Sequence, residues 1–260
     1  MENQADKPYE PTSATHERHE DSRGFALVTG ANSGIGKEIA RQLLNSGLSV
    51  YVGSRDAGRG QAAVDELGDG ASLLVLDVTN EQSVAAAAGW VAELDVLVNN
   101  AGISDAGHPA TETDMDTLRR VYETNVFGVV AVTNAFLPAL RRSTHPRIVN
   151  VSSGTGSLGR STTPNPQFDD QMAGAAAAYR SSKTALNALT VYYAKALATG
   201  GSFKVNALAP GLRATNLNSR AAEHGGDPAE AAAAAVRLAL LPTDGPTGGF
   251  FSWDGTLAPW

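Results

Sequence analysis

Six short runs rich in Val, Leu and Ile, at Phe25–Val28, Ser49–Val52, Ser72–Leu76, Asp95–Val98, Arg147–Val151 and Lys204–Leu208, recur along the chain with helical periods between them. Most are continuously apolar rather than alternating, the pattern of parallel strands covered on both faces. A weaker seventh run lies at Gly249–Ser252. Between the runs, Ile35, Ile39 and Leu43 repeat at helical spacing before Gly47, and Leu186, Leu189, Tyr193 and Leu197 do so later. Asp227-Pro228 reads as a cap followed by Pro at the first helical position, and the run Ala231–Ala235 as a strong helix former. Strand alternating with helix predicts an α/β protein: a Rossmann-type, doubly wound parallel sheet of about seven strands with helices on both faces.

No linker-like break interrupts the chain after residue 24, so 24–260 is expected to be a single domain. Residues 1–23 are polar and charged, carry Pro8 and Pro11, and are expected to form a disordered tail; His16 and His19 within it are expected in water. An apolar fraction of 42% is enough for a core, and cysteine is absent. There are thus no disulfides, thiol nucleophiles or thiolate ligands, which fits a cytoplasmic location. A formal charge of -7 argues against nucleic acid as a partner, and no apolar run has the length of a membrane span. His108, His145 and His224 are scattered without ligand spacing, so no metal site is expected; His108 falls in a loop that can border a substrate.

Thr29-Gly30-Ala31-Asn32-Ser33-Gly34-Ile35-Gly36 follows the first strand and opens the first helix. Glycines there let the backbone turn tightly and approach a pyrophosphate, with the positive helix end and its free N–H groups facing the anion. The spacing G-x-x-x-G-x-G is not the common dinucleotide fingerprint. It resembles the first loop of the short-chain dehydrogenase/reductase superfamily. Asn99-Asn100-Ala101-Gly102, Tyr179-x-x-x-Lys183, and Pro210-Gly211 with Thr215 four residues on match further motifs of that family, in family order. The resemblance implies a nicotinamide cofactor in contact with Gly30, Asn32, Ser33, Gly34, Ile35, Gly36, Asn99, Ala101, Gly102, Tyr179, Lys183, Pro210, Gly211 and Thr215. It also puts Asp77 and Val78, after the third strand, near the adenine.

At the end of the second strand, where an acid would bind the ribose of NAD, the chain reads Val52-Gly53-Ser54-Arg55. Ser54 takes the acidic slot and Arg55 follows, a guanidinium able to pair a 2′-phosphate, so NADP(H) is expected. Ser54 and Asn32 are expected to add hydrogen bonds; Asp56 would undo the argument if the register slipped by two. Otherwise Arg55 is a solvated loop charge.

Tyr179 and Lys183, four apart, share a helix face. An ammonium beside a phenol is expected to lower the phenol's pKa, so that Tyr179 can protonate a carbonyl oxygen as hydride reaches carbon. By the same resemblance Ser153 holds the substrate oxygen, with Ser152 as the alternative, and Asn125 kinks a helix and holds a proton-relay water. The four catalytic candidates are therefore Asn125, Ser153, Tyr179 and Lys183. The interval from Ser153 to Tyr179 is longer than in many members. The insertion, centred on Arg160–Gly174 with Pro164, Pro166, Phe168, Asp169 and Asp170, resembles that of monomeric carbonyl reductases and of plant menthone and salutaridine reductases. A monomer or homodimer is expected. Leu212–His224 is expected to be a flexible lid, with Leu212, Leu217, Leu158 and Trp253 around an apolar pocket for a small carbonyl or alcohol substrate. Two other functions compete: a ketoacyl or polyketide reductase, docking its carrier on Arg213 and Arg220, and a non-catalytic NADP(H) sensor.

Overall fold

The computed structural model describes residues 24–105, 107, 109–163, 175–199 and 202–260, apart from the Arg220 side chain. The tail, His108, and the insertion from Pro164 onward, including Phe168, Asp169 and Asp170, lie outside the described residues. Seven strands, β1 (Phe25–Thr29), β2 (Ser49–Ser54), β3 (Ala71–Val75), β4 (Val96–Asn99), β5 (Arg147–Val151), β6 (Lys204–Ala209) and β7 (Phe250–Ser252), form one sheet in the order β3-β2-β1-β4-β5-β6-β7. Every pairing is parallel. The weak seventh run is thus a strand, at the sheet edge beside β6.

Alternation along the strands divides the core in two. Ala26 and Val28 of β1 face a cluster with Ile39 and Leu43 of helix α1 (Gly34–Asn45), Ala63 of α2 (Ala57–Leu67) and the alanine run of α9 (Pro228–Ala239). Alanine suits α9 because it packs directly on α1, where a short side chain lets two helices approach. Phe25 and Leu27 face the opposite cluster, with Val84 of α3 (Glu81–Trp90), Val132 and Phe136 of α5 (Gly128–Leu140) and Ala194 of α7 (Ala177–Ala196). Helix α4 (Met115–Tyr122) runs into α5 through one π-helical turn, Glu123–Phe127, which carries Asn125. Two short helices complete the chain, α6 (Leu158–Ser161) and α8 (Ser219–His224).

The apolar repeat on α7 marks only part of its inner face. Residues buried there include Ser182, Lys183, Asn187 and Thr190. They join a polar network running through the sheet: Asn99 Nδ2 donates to Asn150 Oδ1 (2.9 Å), and Asn150 Nδ2 donates to Thr190 Oγ1 (2.9 Å).

Candidate active site

The carboxyl ends of β1 to β6 open into one cleft of about 380 Å³, centred where the order of strands reverses between β1 and β4. That is where open α/β sheets bind ligands. One end of the cleft is formed by the β1–α1 loop with Arg55, Arg59, Asp77 and Val78, and the other by Tyr179, Lys183 and the loop after β6.

At the start of α1 the residues fit a dinucleotide. Gly34 adopts φ +57, and a Cβ on it would sit 3.2 Å from Thr215 Cγ2. A Cβ on Gly36 would come within 2.5 Å of the Gly30 carbonyl oxygen, so only glycine lets the helix start so close beneath the loop. The caps add an independent sign. Asp56, Asn80, Asp114, Ser157, Asn218 and Asp227 each accept a backbone N–H of their own helix. Ser33, of equally good capping type, makes no such bond, and the first N–H groups of α1 remain available to an anion. Thr29 joins this loop to the next: its hydroxyl accepts from the backbone N–H of Asn100 (2.9 Å) and of Ala101 (3.0 Å).

Asn32, Ser33, Gly34, Ile35, Gly36, Gly30, Arg55, Asp77, Val78, Ala101, Gly102, Pro210 and Thr215 all line the cleft. Three expected contacts fall elsewhere. Ser54 is 1% exposed and its hydroxyl donates to the Asp56 carbonyl oxygen, so the second-strand slot is closed over rather than open to a ligand. Asn99 is 2% exposed, and besides Asn150 its amide donates to Thr133 Oγ1 (3.0 Å). The wall is made instead by Asn100, whose amide donates to the Thr29 carbonyl oxygen (2.9 Å). Gly211 is the turn of the following loop (φ +73), facing Trp253 rather than the cleft.

Asp56, the residue that register slippage would have made a ribose acid, caps α2 and accepts from the Arg59 N–H (2.8 Å). That bond holds its carboxyl below the usual range. The cap also places Arg59 in the first turn of α2, on the cleft wall with Arg55. Arg59 went unrecognised in the sequence; its signal is the spacing Arg55-x-x-x-Arg59 across a helix cap.

Tyr179 lines the cleft and is joined by a hydrogen bond to Ser153, which is not itself among the lining residues and whose Oγ also lies 2.9 Å from Thr155 Oγ1. Ser152 lines the cleft, while its hydroxyl donates to Asn187 Oδ1 (2.6 Å). Lys183 Nζ lies 5.7 Å from the Tyr179 ring centre and donates to the Val151 carbonyl oxygen (2.9 Å). Burial pushes the Tyr179 phenol up, only partly offset by the Ser153 bond, and pushes Lys183 down to about 8. The expected lowering of the phenol by an ammonium is therefore corrected: packing around both groups penalises both charged forms.

Asn125 does break the helix, in the π-turn, but its amide is engaged by protein. Nδ2 donates to the Ile103 carbonyl oxygen (2.9 Å) and Ser182 Oγ (3.0 Å), and Oδ1 accepts from the Ile103 N–H (2.9 Å). Both N–H groups of its side chain are so engaged, and through them it holds the loop after β4 against α7. The segment following Pro210 is anchored at its base. Arg213 is 6% exposed, ion-paired with Glu230 and stacked over Trp253 at 4.4 Å, and Gly226 donates back to the Leu212 carbonyl oxygen. Leu217 lines the cleft; Leu158, Leu212 and Trp253 are exposed. Among the described residues no group of three or more His, Asp or Glu side chains is placed to hold a metal ion. No described helix is long and apolar enough to cross a membrane.

Residues 24–225 match the family model described as short chain dehydrogenase. The chain is 34% identical to (-)-isopiperitenone reductase of Mentha piperita, over 90% of this chain and 98% of that protein. It is also 34% identical to salutaridine reductase of Papaver bracteatum, over 87% and 93%. Among solved structures, an NADPH-bound carbonyl reductase from chicken fatty liver superposes with a TM-score of 0.78 at 27% identity, covering 92% of this chain and all of that one.

Proposed function

Because the chain belongs to the short-chain dehydrogenase/reductase superfamily, whose members are oxidoreductases of carbonyl and alcohol groups, we propose that it reduces a ketone or aldehyde with NADPH as cofactor. The observation that carries this is the make-up of the cleft's two ends: Arg55 and Arg59 where the adenosine ribose would lie, and at the other Lys183 and Tyr179, the latter hydrogen-bonded to Ser153 behind it. The relatives named as reductases and the NADPH-bound structural neighbour point the same way.

When bound, the reduced nicotinamide supplies the hydride. The chain's own groups do the rest. The α1 amides, left uncapped by Ser33, take the pyrophosphate, and Arg55 takes the 2′-phosphate with Arg59 beside it. Ser153 donates a hydrogen bond to the substrate oxygen, and Tyr179 Oη delivers the proton there. A phenol held above its ordinary pKa stays protonated at neutral pH, the form that reduction needs. Lys183 lies one helical turn beyond Tyr179 and reaches the nicotinamide ribose. Asn125 is a positioning residue, fixing Ile103 opposite α7. In the reverse direction the same groups oxidise an alcohol. Arg213, one of the two residues on which carrier docking would rest, is buried and ion-paired with Glu230, which speaks against a carrier-bound substrate.

The test is a titration with NADPH and NADH, followed by NADPH oxidation over a panel of ketones and aldehydes. Arg55→Ala should weaken NADPH about 10- to 100-fold and NADH much less, the loss of a charged hydrogen bond. An equal loss for both would mean that Arg55 reads no phosphate. Tyr179→Phe should cut turnover at least about 100-fold with NADPH affinity nearly kept; normal residual turnover would sink the assignment.

A further inference from the structure

Ser153 caps a short turn of 3-10 helix, Gly154–Gly156, and its Oγ accepts the Thr155 N–H (3.2 Å). The same Oγ lies 2.9 Å from the Thr155 hydroxyl. The next cap, Ser157, is an ordinary one: its Oγ accepts the Arg160 N–H (3.0 Å), and its own proton goes to the Trp260 carbonyl oxygen (3.3 Å). Ser153 instead stands between two further hydroxyls, those of Thr155 and Tyr179. The turn is held hard against α7. A Cβ on Gly156 would lie 2.8 Å from Lys183 Cβ, and the Gly156 carbonyl oxygen accepts from Thr184 Oγ1 (2.9 Å) and Asn187 Nδ2 (3.2 Å). Thr155, partly buried, is thereby fixed beside Ser153.

A serine hydroxyl has one proton and two lone pairs. The Thr155 N–H fills one lone pair. Were Ser153 also to donate to Thr155, no proton would be left for a carbonyl oxygen in the cleft. With Thr155 as the donor, the second lone pair is filled and the Ser153 proton can go only to Tyr179 Oη or to the substrate oxygen. Among the described residues Thr155 Oγ1 meets no other hydrogen-bond partner, so its proton is free for Ser153. We propose that Thr155 is a positioning residue for the reduction: its N–H and its hydroxyl both donate to Ser153 Oγ and so commit the Ser153 proton to the substrate oxygen. The proposal rests on the reductase function given above and adds a residue to it. A hydroxyl that accepts from one neighbour is polarised into a stronger donor to the next. The Thr155 bond therefore strengthens the hold of Ser153 on the negative charge that gathers on the substrate oxygen during reduction.

Thr155→Val keeps the branched shape and the N–H of the cap and removes only the hydroxyl. With 4-nitrobenzaldehyde and cyclohexanone as probes, kcat from NADPH oxidation should fall about 3- to 10-fold, the worth of one hydrogen bond, while KM, NADPH affinity and Tm stay close to native. Thr155→Ser, which returns the hydroxyl, should restore kcat. In a Ser153→Ala background Thr155→Val should change nothing further, because Thr155 acts only through Ser153. A native or raised kcat in Thr155→Val overturns the proposal; a raised one would mean that Thr155 draws the Ser153 proton away. So does a fall that Thr155→Ser leaves unrepaired, or one that persists when residue 153 is alanine, since either would be a structural effect of the turn. Neutron diffraction from native crystals exchanged into D2O identifies the donor without turnover. The Thr155 deuteron should lie on the line to Ser153 Oγ; a Ser153 deuteron pointing at Thr155 Oγ1 is the contrary result. Turnover by the native protein with a silent Thr155→Val would defeat only the assignment of Thr155. A native protein that oxidises NADPH with no carbonyl of the wider panel would defeat the reductase function and this proposal with it, even where the neutron map shows Thr155 as the donor.

Discussion

Burial holds Lys183 at about 8 against the ordinary 10.5 of a lysine, and among the described residues its Nζ donates to the Val151 carbonyl oxygen. Between those two values the unfolded chain keeps a proton that the folded chain has released. Stability from this group is therefore present above 10.5 and is lost as the pH falls through 8. At one pKa unit per 1.36 kcal/mol, the unfolding free energy of the native protein relative to Lys183→Met should grow by about 3 kcal/mol from pH 7 to pH 10.5. Urea denaturation of both proteins at the two pH values measures it; a gap that stays flat would mean that Lys183 keeps its proton in the fold. The Tyr179–Lys183 pair was legible in the sequence because a spacing of four on a helix puts two side chains on one face whatever surrounds them. The state of their charges was not, because it depends on the packing of β5 and the loop after β4 around them. The same limit explains Asn99 and Asn100. Neighbours at the end of a strand point to opposite sides, and only the partners Thr133 and Asn150 decide which one turns inward.

At the level of elements, the strands were the most legible part of the chain. A run apolar on both faces can be satisfied only between two helical layers, and all seven stand where the runs lie. Helix α7 was legible in extent and in its apolar stripe, with Leu186 and Leu197 buried, but not in the polar side chains that share its inner face. Asn187 shows why they are there. Its Oδ1 accepts from Ser152 Oγ (2.6 Å) and its Nδ2 donates to the Gly156 carbonyl oxygen (3.2 Å), fixing both flanks of Ser153 to the helix that carries Tyr179. Asn187→Leu preserves the volume but strands both partners. It should cost about 1–3 kcal/mol in stability, the penalty for an unsatisfied buried group, and lower kcat more than it raises KM, since the Ser153–Tyr179 geometry loosens. Thermal unfolding and steady-state kinetics on the same preparation test this. A stable variant with native kcat would mean that β5 alone holds Ser153.

On the scale of the whole molecule, the cleft draws on both halves of the sheet: β1 to β3 supply the end with the arginines, β4 to β6 the end with Tyr179. A dinucleotide spanning it binds only when both halves are in place, so its binding energy is stability of the entire fold. At a concentration 100 times its Kd, NADPH should add about 2.7 kcal/mol, and for a domain of this size each kcal/mol moves Tm by about 2–4 °C, giving a rise of about 5–11 °C. On the proposed function NADH at the same concentration should give much less, because the uncapped amides of α1 would serve both nucleotides equally while Arg55 and Arg59 would distinguish them. The two arginines differ in their freedom to do so. Arg59 sits 3.4 Å from Asp56 and is partly neutralised by it, whereas Arg55 forms no ion pair among the described residues. The Tm advantage of NADPH over NADH should therefore shrink further in Arg55→Ala than in Arg59→Ala. If the advantage instead vanishes only in Arg59→Ala, the phosphate lies over the first turn of α2 rather than at the end of β2. If neither variant changes it, the preference is set by the loop between β1 and α1, with Asn32 as the next residue to replace.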